Sequence, residues 1–288
     1  MDNSKTYLTQ IVIQRLKAEV LTGKPASDND APGASDQFPP CGLLASAALR
    51  DEWEMAVRAG VDWIDLKNPM AGPLGRPDLE LAKEFATSMQ HSADRRWSIA
   101  GGELADWDSR TDGDFCRILG TQGCIKWALA GCGGNHLWID RVAEVLNSLP
   151  HPNQGILVHY ADWQACDAPE WESVLSAACD FRLRYVLIDT AIKDGRGLLH
   201  HVPIESLRKR VEQARAQGVE VAIAGALQLE QLVLGSALGA AWVGVRGAVC
   251  DNADRTSSFR MEKLERAVAI IRGSNTKDLR RESLHVLR

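Results

Sequence analysis

Eight short apolar runs, each followed by a longer stretch of helical periodicity, constrain this chain more than any other feature. The runs cover residues 42–47, 61–67, 97–101, 124–129, 155–160, 185–189, 219–224 and 241–245. Their shortness and near-continuous apolar character predict strands buried on both faces. The intervening stretches 51–59, 78–89, 137–149, 170–179, 204–217 and 227–236 predict helices, and 261–272 predicts a last one closing the series. Strands that alternate with helices pair in parallel, because each return to the same edge of the sheet needs a crossover. Eight such units can close on themselves. The expected fold is α/β, a single (β/α)8 TIM barrel with an N-terminal helical extension. A doubly wound open sheet is the structural alternative, but no strand is followed by G-x-G-x-x-G, so its dinucleotide-binding version has no support.

The flanking segments divide the chain further. Residues 1–23 can form one amphipathic helix with Tyr7, Ile11, Ile13, Leu16, Val20 and Leu21 among its apolar positions, and it stops at Gly23. Residues 24–40, KPASDNDAPGASDQFPP, offer little to bury and read as a flexible linker. The catalytic barrel is expected over 41–273, with 274–288 as a C-terminal tail. A length of 288 residues suits one barrel of about 250 residues with extensions.

Charge and cysteine usage exclude several functions. A net charge of -5 gives no global attraction to nucleic acid or to an anionic membrane. No apolar run reaches the roughly 20 residues of a membrane span, and the first residues lack the apolar core of a secretory signal, so a cytoplasmic protein is expected. The seven cysteines contain no C-x-x-C pair, and no H-E-x-x-H spacing occurs. Reduced thiols and no metal site are expected.

In a (β/α)8 barrel the active groups project from the C-terminal ends of the strands. The second run ends V-D-W-I-D-L-K-N-P, which puts Asp65 and Lys67 at alternate positions, facing inward together. The fourth, C-I-K-W-A-L, contributes Lys126. The sixth, Y-V-L-I-D-T-A-I-K-D-G, contributes Asp189 and, just beyond the strand, Lys193. The chain has ten lysines, and three of them fall where a buried charge is costly unless it is paired or used. One such Asp–Lys pair alone could simply hold the barrel mouth together. Convergence of three lysines and two aspartates points instead to chemistry. A lysine amine attacks a carbonyl only when neutral, and desolvation or a neighbouring cation lowers its pKa toward the working pH. The resulting Schiff base is an electron sink that eases removal of the adjacent proton and formation of a carbon–carbon bond.

The seventh run is followed by A-G-A-L at the start of a helical stretch and the eighth by G-V-R-G-A-V. Small residues admit an anion to backbone N–H groups, and barrel phosphate sites often follow strands seven and eight. Gly225, Ala226 and Gly247 are therefore candidate phosphate contacts, with Arg246 adding a charge-assisted one. The alternative is that these glycines only permit tight turns. His159, Tyr160 and Asp162 close the fifth run, and His159 reads as a hydrogen-bonded core residue.

Together the segments D-L-K-N-P-M-A-G-P-L-G (65–75), I-K-W-A-L (125–129), Y-A-D (160–162), L-I-D-T-A-I-K-D-G (187–195), G-V-R-G-A-V-C (244–250) and the pair Asp254 and Arg255 resemble the (5-formylfuran-3-yl)methyl phosphate synthase family in order and spacing. The resemblance implies condensation of two glyceraldehyde 3-phosphate molecules into a furan aldehyde phosphate, with release of phosphate and water, toward a methanofuran-type carrier of C1 units. It implies that Lys67 is the Schiff-base lysine and Lys126 the proton acceptor, with Asp65, Asp189 and Lys193 supporting them. Asn68, Tyr160 and Asp194 join the expected substrate contacts. The reaction balances without redox, so no cofactor is expected, and the partner is a small phosphorylated triose. A homo-oligomer is also expected. After the third run the chain reads G-G-E-L-A-D-W-D-S-R-T in place of the K-P-G-T associated with the family, and residues 1–40 have no counterpart in its shorter members. Two rival readings share the barrel: another class I aldolase or phosphosugar isomerase, which would need one lysine, and a non-catalytic phospholigand-binding barrel, against which the three lysines argue.

Overall fold

The computed structural model describes residues 41–90, 95–134 and 137–273. The expected N-terminal helix and linker, and the expected C-terminal tail, lie outside the described residues. Eight parallel strands close in sequence order: β1 (Gly42–Ala47), β2 (Trp63–Leu66), β3 (Arg96–Glu103), β4 (Gly123–Ala128), β5 (Gly155–Tyr160), β6 (Tyr185–Asp189), β7 (Glu220–Ile223) and β8 (Trp242–Val245). Closure is direct, since Leu43 of β1 stands in register with Val243 of β8. The helices are α1 (Arg50–Ala59), α2 (Leu79–Gln90), α3 (Ser109–Arg117), α4 (Leu137–Asn147), α5 (Trp171–Asp180), α6 (Leu198–His201), α7 (Ile204–Ala216), α8 (Leu234–Leu238) and α9 (Met261–Arg272). Among the described residues no helix is long and apolar enough to cross a membrane.

Alternation along each strand separates two cores. In β4, Ile125 and Trp127 face the helix layer, while Cys124, Lys126 and Ala128 face the barrel interior. The N-terminal end of that interior is sealed by an aromatic floor. Trp63 meets Tyr185 and Trp242 edge-on with ring centres 5.0 Å apart in each case. The Arg96 guanidinium lies 5.6 Å from the centre of the Tyr185 ring and 5.7 Å from that of Trp242. Gly42 makes room for this floor, because a Cβ there would stand 2.3 Å from the Trp242 ring. With the bottom filled, the opposite end is where a ligand can enter.

Two expectations about elements need correction. The predicted helix over 227–236 is broken into a 3-10 turn at Leu229–Gln231 and the short α8. No helix starts at the A-G-A-L segment. There Gly225 and Ala226 take φ of 108° and 51°, a left-handed stretch that cannot open a helix. Conversely α3 has no predicted counterpart. It begins where the Asp108 side chain accepts a hydrogen bond from the Arg110 N–H.

Candidate active site

A cavity of about 270 Å³ opens at the C-terminal ends of the strands, and Lys67, Lys126, Asp189 and Lys193 line it. Each charged group in it is placed by a specific set of neighbours. Asp65 on β2 is wholly buried, and the Lys126 Nζ of β4 lies 2.7 Å from its Oδ2. The Ser46 hydroxyl of β1 donates to the same oxygen at 3.0 Å, and the Ser98 hydroxyl of β3 donates to Oδ1 at 2.7 Å. The Ser98 proton has only one direction open to it. The Trp63 indole N–H, which can only donate, points at the Ser98 Oγ from 3.0 Å, so the hydroxyl hydrogen is left for Asp65. Three donors thus satisfy a carboxylate with no access to water. Desolvating two ions costs several kcal/mol each, and apolar residues of equal volume would often serve stability as well. An ion pair kept here is better explained by use than by stability.

A second pair sits across the cavity. The Lys193 ammonium donates to Asp189 Oδ1 at 2.9 Å and to Thr190 Oγ1 at 3.0 Å, while the Thr190 backbone N–H donates to the same carboxylate at 2.7 Å. Burial alone would raise the Asp189 pKa, but Lys193 and Lys67 outweigh it and hold the carboxyl below its ordinary value. The loop that carries Lys193 is pinned by Asp162, whose two oxygens accept the N–H groups of Ala191 (2.7 Å) and Ile192 (2.8 Å).

Between the pairs stands Lys67, 8% exposed, whose amine donates only a long bond of 3.4 Å to the Pro73 carbonyl. Burial pushes its pKa down to about 7. Lys193 and Lys126 act in the same direction, and Asp189 and Asp65 oppose them. Lys67 is therefore substantially an unprotonated amine near neutrality, within reach of solvent through the cavity.

The five residues expected to be catalytic are thus brought together. The expected substrate contacts divide. Gly225, Ala226 and Gly247 line the cavity. Gly247 also answers to packing, since a Cβ there would stand 3.0 Å from the Ala253 carbonyl oxygen. Arg246 reaches the cavity wall, but its guanidinium is committed elsewhere. It donates to Glu52 Oε2 at 2.9 Å and Oε1 at 3.4 Å, and to the carbonyls of Ser46 (2.7 Å), Arg255 (2.5 Å) and Ser257 (3.4 Å). Arg246 thus also serves as a buried strut between β8 and α1. Asn68, Tyr160 and Asp194 are not among the residues that line the cavity. The Asn68 Oδ1 accepts the Met70 N–H at 3.0 Å and caps a 3-10 turn, and Asp194 accepts from Arg196 Nε at 2.7 Å in solvent. The Tyr160 hydroxyl donates to Glu103 Oε1 at 2.7 Å inside the barrel. Glu103 lies in the segment that departs from the family pattern, and its other oxygen accepts the Ala130 N–H at 2.9 Å. His159 faces outward against Trp171, and burial pushes its pKa down to about 3.

Ser46, Ser98 and Arg255 escaped the sequence reading of the site. Both serines are single polar residues in apolar runs, and only the register of neighbouring strands places them on Asp65. Arg255, which lines the cavity, stood within a quoted motif without a role.

A closed parallel barrel that carries three lysines and two aspartates at the mouth defines a lysine-bearing (β/α)8-barrel enzyme. Known proteins sharpen that class. A family model described as 4-HFC-P synthase matches residues 43–268, and the chain belongs to that family. It is 28% identical over 242 residues to the (5-formylfuran-3-yl)methyl phosphate synthase of Methanosarcina barkeri, covering 79% of this chain and 97% of that protein. Against the synthase of the same name from Methanopyrus kandleri it is 29% identical over 235 residues, again covering 79% and 97%. Among solved structures, 3-hexulose-6-phosphate synthase from Salmonella typhimurium shares the fold with a TM-score of 0.52 and 13% identity, over 80% of this chain and 99% of that one. Phosphoribosyl anthranilate isomerase from Thermus thermophilus does so with a TM-score of 0.51 and 14% identity, over 81% and 98%.

Proposed function

We propose that this enzyme condenses two molecules of glyceraldehyde 3-phosphate into (5-formylfuran-3-yl)methyl phosphate through a Schiff base on Lys67, with loss of phosphate and water. The name shared by its relatives supports the product. The observation that carries the mechanism is the placing of Lys67, a buried amine without a carboxylate partner of its own among the described residues, held between two Asp–Lys pairs where burial pushes its pKa down to about 7. Its neutral form adds to the aldehyde carbon. The Lys126 ammonium, 2.7 Å from Asp65, gives a proton to the departing hydroxyl as the imine forms, and water leaves. Lys126 is then a neutral amine, and it takes the proton from the carbon next to the imine. That transfer restores its ammonium and leaves an enamine on Lys67. The enamine carbon attacks the second aldehyde, and Lys193 with Asp189 stands opposite Lys126 to exchange protons there. Carbon and phosphorus balance without an oxidant, in line with a chain that carries no G-x-G-x-x-G motif, and we assign the product to a methanofuran-type C1 carrier made in the cytoplasm.

The test is to incubate the pure protein with glyceraldehyde 3-phosphate and follow furan absorbance together with phosphate release. Both signals are expected to rise together. Formation of dihydroxyacetone phosphate with no phosphate release would replace this reading with that of an isomerase.

A further inference from the structure

Six cationic side chains line the cavity: Lys67, Lys126, Lys193, Arg196, Arg246 and Arg255. Four are neutralised by a carboxylate, Lys126 by Asp65, Lys193 by Asp189, Arg196 by Asp194 and Arg246 by Glu52. Among the described residues the other two are held by nothing but a backbone carbonyl. Lys67 hangs from the Pro73 oxygen, and Arg255 Nη2 hangs from the Gly72 oxygen at 2.8 Å. These carbonyls are consecutive in one tight turn after β2, closed by the Asn68 N–H on the Gly75 oxygen at 2.8 Å. Gly72 takes φ of 108° there, a conformation that glycine adopts without strain.

Arg255 is also presented rather than loosely exposed. The segment after β8 doubles back on itself, with the Asp251 N–H on the Ser258 oxygen (3.0 Å), the Arg260 N–H on the Val249 oxygen (2.8 Å) and an antiparallel bridge between Cys250 and Phe259. Arg246 grips this strap from inside through the Arg255 carbonyl. The Arg255 guanidinium is half-buried, and desolvation lowers its pKa, with the nearby Arg246 adding to the effect and Asp189 opposing it. A guanidinium that has lost water without gaining a carboxylate is a site that favours an anion.

We propose that Arg255 is the specificity-determining residue of this site, a fork that binds the phosphate monoester of the aldehyde whose carbonyl reaches Lys67. The proposal rests on the Schiff-base reading for the identity of the aldehyde, but phosphate recognition itself does not depend on imine formation. The incoming phosphate takes the guanidinium N–H groups that face the cavity, whose wall Gly225 and Ala226 share. Amine and guanidinium, hung from neighbouring carbonyls, set the span between the reacting carbon and the phosphate.

Two measurements on the full chain test this. Glycerol 3-phosphate, which has no carbonyl, is titrated calorimetrically into wild type, Arg255→Ala and Arg255→Lys. Binding is expected in wild type, weakened about tenfold to a hundredfold in Arg255→Ala and less in Arg255→Lys, as for the loss of a charge-assisted bond. Borohydride trapping is then compared for glyceraldehyde 3-phosphate and glyceraldehyde. The preference for the phosphorylated aldehyde, read from the concentrations that give half-maximal trapping, is expected to fall by the same factor in Arg255→Ala. Wild-type binding of glycerol 3-phosphate that survives both substitutions would overturn the proposal, and so would an absence of binding in wild type or a preference that both variants retain. Binding lost with Arg255→Ala, in a protein that traps neither aldehyde, would uphold Arg255 and refute the Schiff base on Lys67. If Arg255→Ala fails to fold, the Arg255→Lys titration decides alone.

Discussion

Lys67 shows how one residue can be useful to chemistry and costly to the fold. In the unfolded chain it keeps its proton up to about pH 10.5, whereas folded it does so only to about 7. The folded state binds fewer protons between these values, so stability rises with pH across that window. Below pH 7 the buried ammonium exerts its full destabilising effect. Lys67→Met, similar in length and without charge, is therefore expected to stabilise the protein by about 1–2 kcal/mol below pH 7, with the advantage fading as pH approaches 10.5. Denaturant unfolding of both proteins at several pH values measures it. A variant less stable than wild type below pH 7 would mean that Lys67 is held there as a cation by Asp189 and Asp65. At this scale the sequence was informative where chemistry and strand period coincide, as for Asp65 and Lys67 two positions apart. It was silent where the partner is remote, as for Arg246, whose ion-pair partner Glu52 lies 194 positions away.

Among the elements, the strands were the most legible. β1, β5 and β6 run over the residues that their apolar runs indicate, because strands covered on both faces are mostly apolar, with single polar residues such as Ser46 and Asp189 kept where they have partners. The helix α3, SRTDGDFCR, was not legible. Its cap at Asp108 and the burial of Phe115 and Cys116 organise a stretch with little apolar periodicity and a central glycine. The 3-10 turn and short α8 after β7 fall within a stretch read as one helix, whereas Leu227, Leu229, Leu232 and Leu234 pack against the core from separate turns. Gly42 at the start of β1 yields the prediction that belongs to this scale. Alanine there would drive a methyl group into the Trp242 ring, which is itself fixed against Trp63 and Arg96. Gly42→Ala is expected to cost about 1–3 kcal/mol by overpacking. A thermal midpoint unchanged from wild type would show that the aromatic floor can shift, contrary to the packing described.

At the scale of the whole molecule, the aromatic floor and the charged mouth divide the barrel between stability and chemistry. The floor fills the N-terminal end, so the costly charges gather at the other end around one amine of low pKa. Trapping at Lys67 tests this arrangement most directly. Wild-type protein is treated with glyceraldehyde 3-phosphate and borohydride over a range of pH, and the modified lysine is located by mass spectrometry. A triose adduct on Lys67 is predicted, with a rate that rises with pH through about 7 as the amine loses its proton and then levels off. An adduct on Lys126 or Lys193 in active protein, or furan formation that persists in Lys67→Arg, would contradict it.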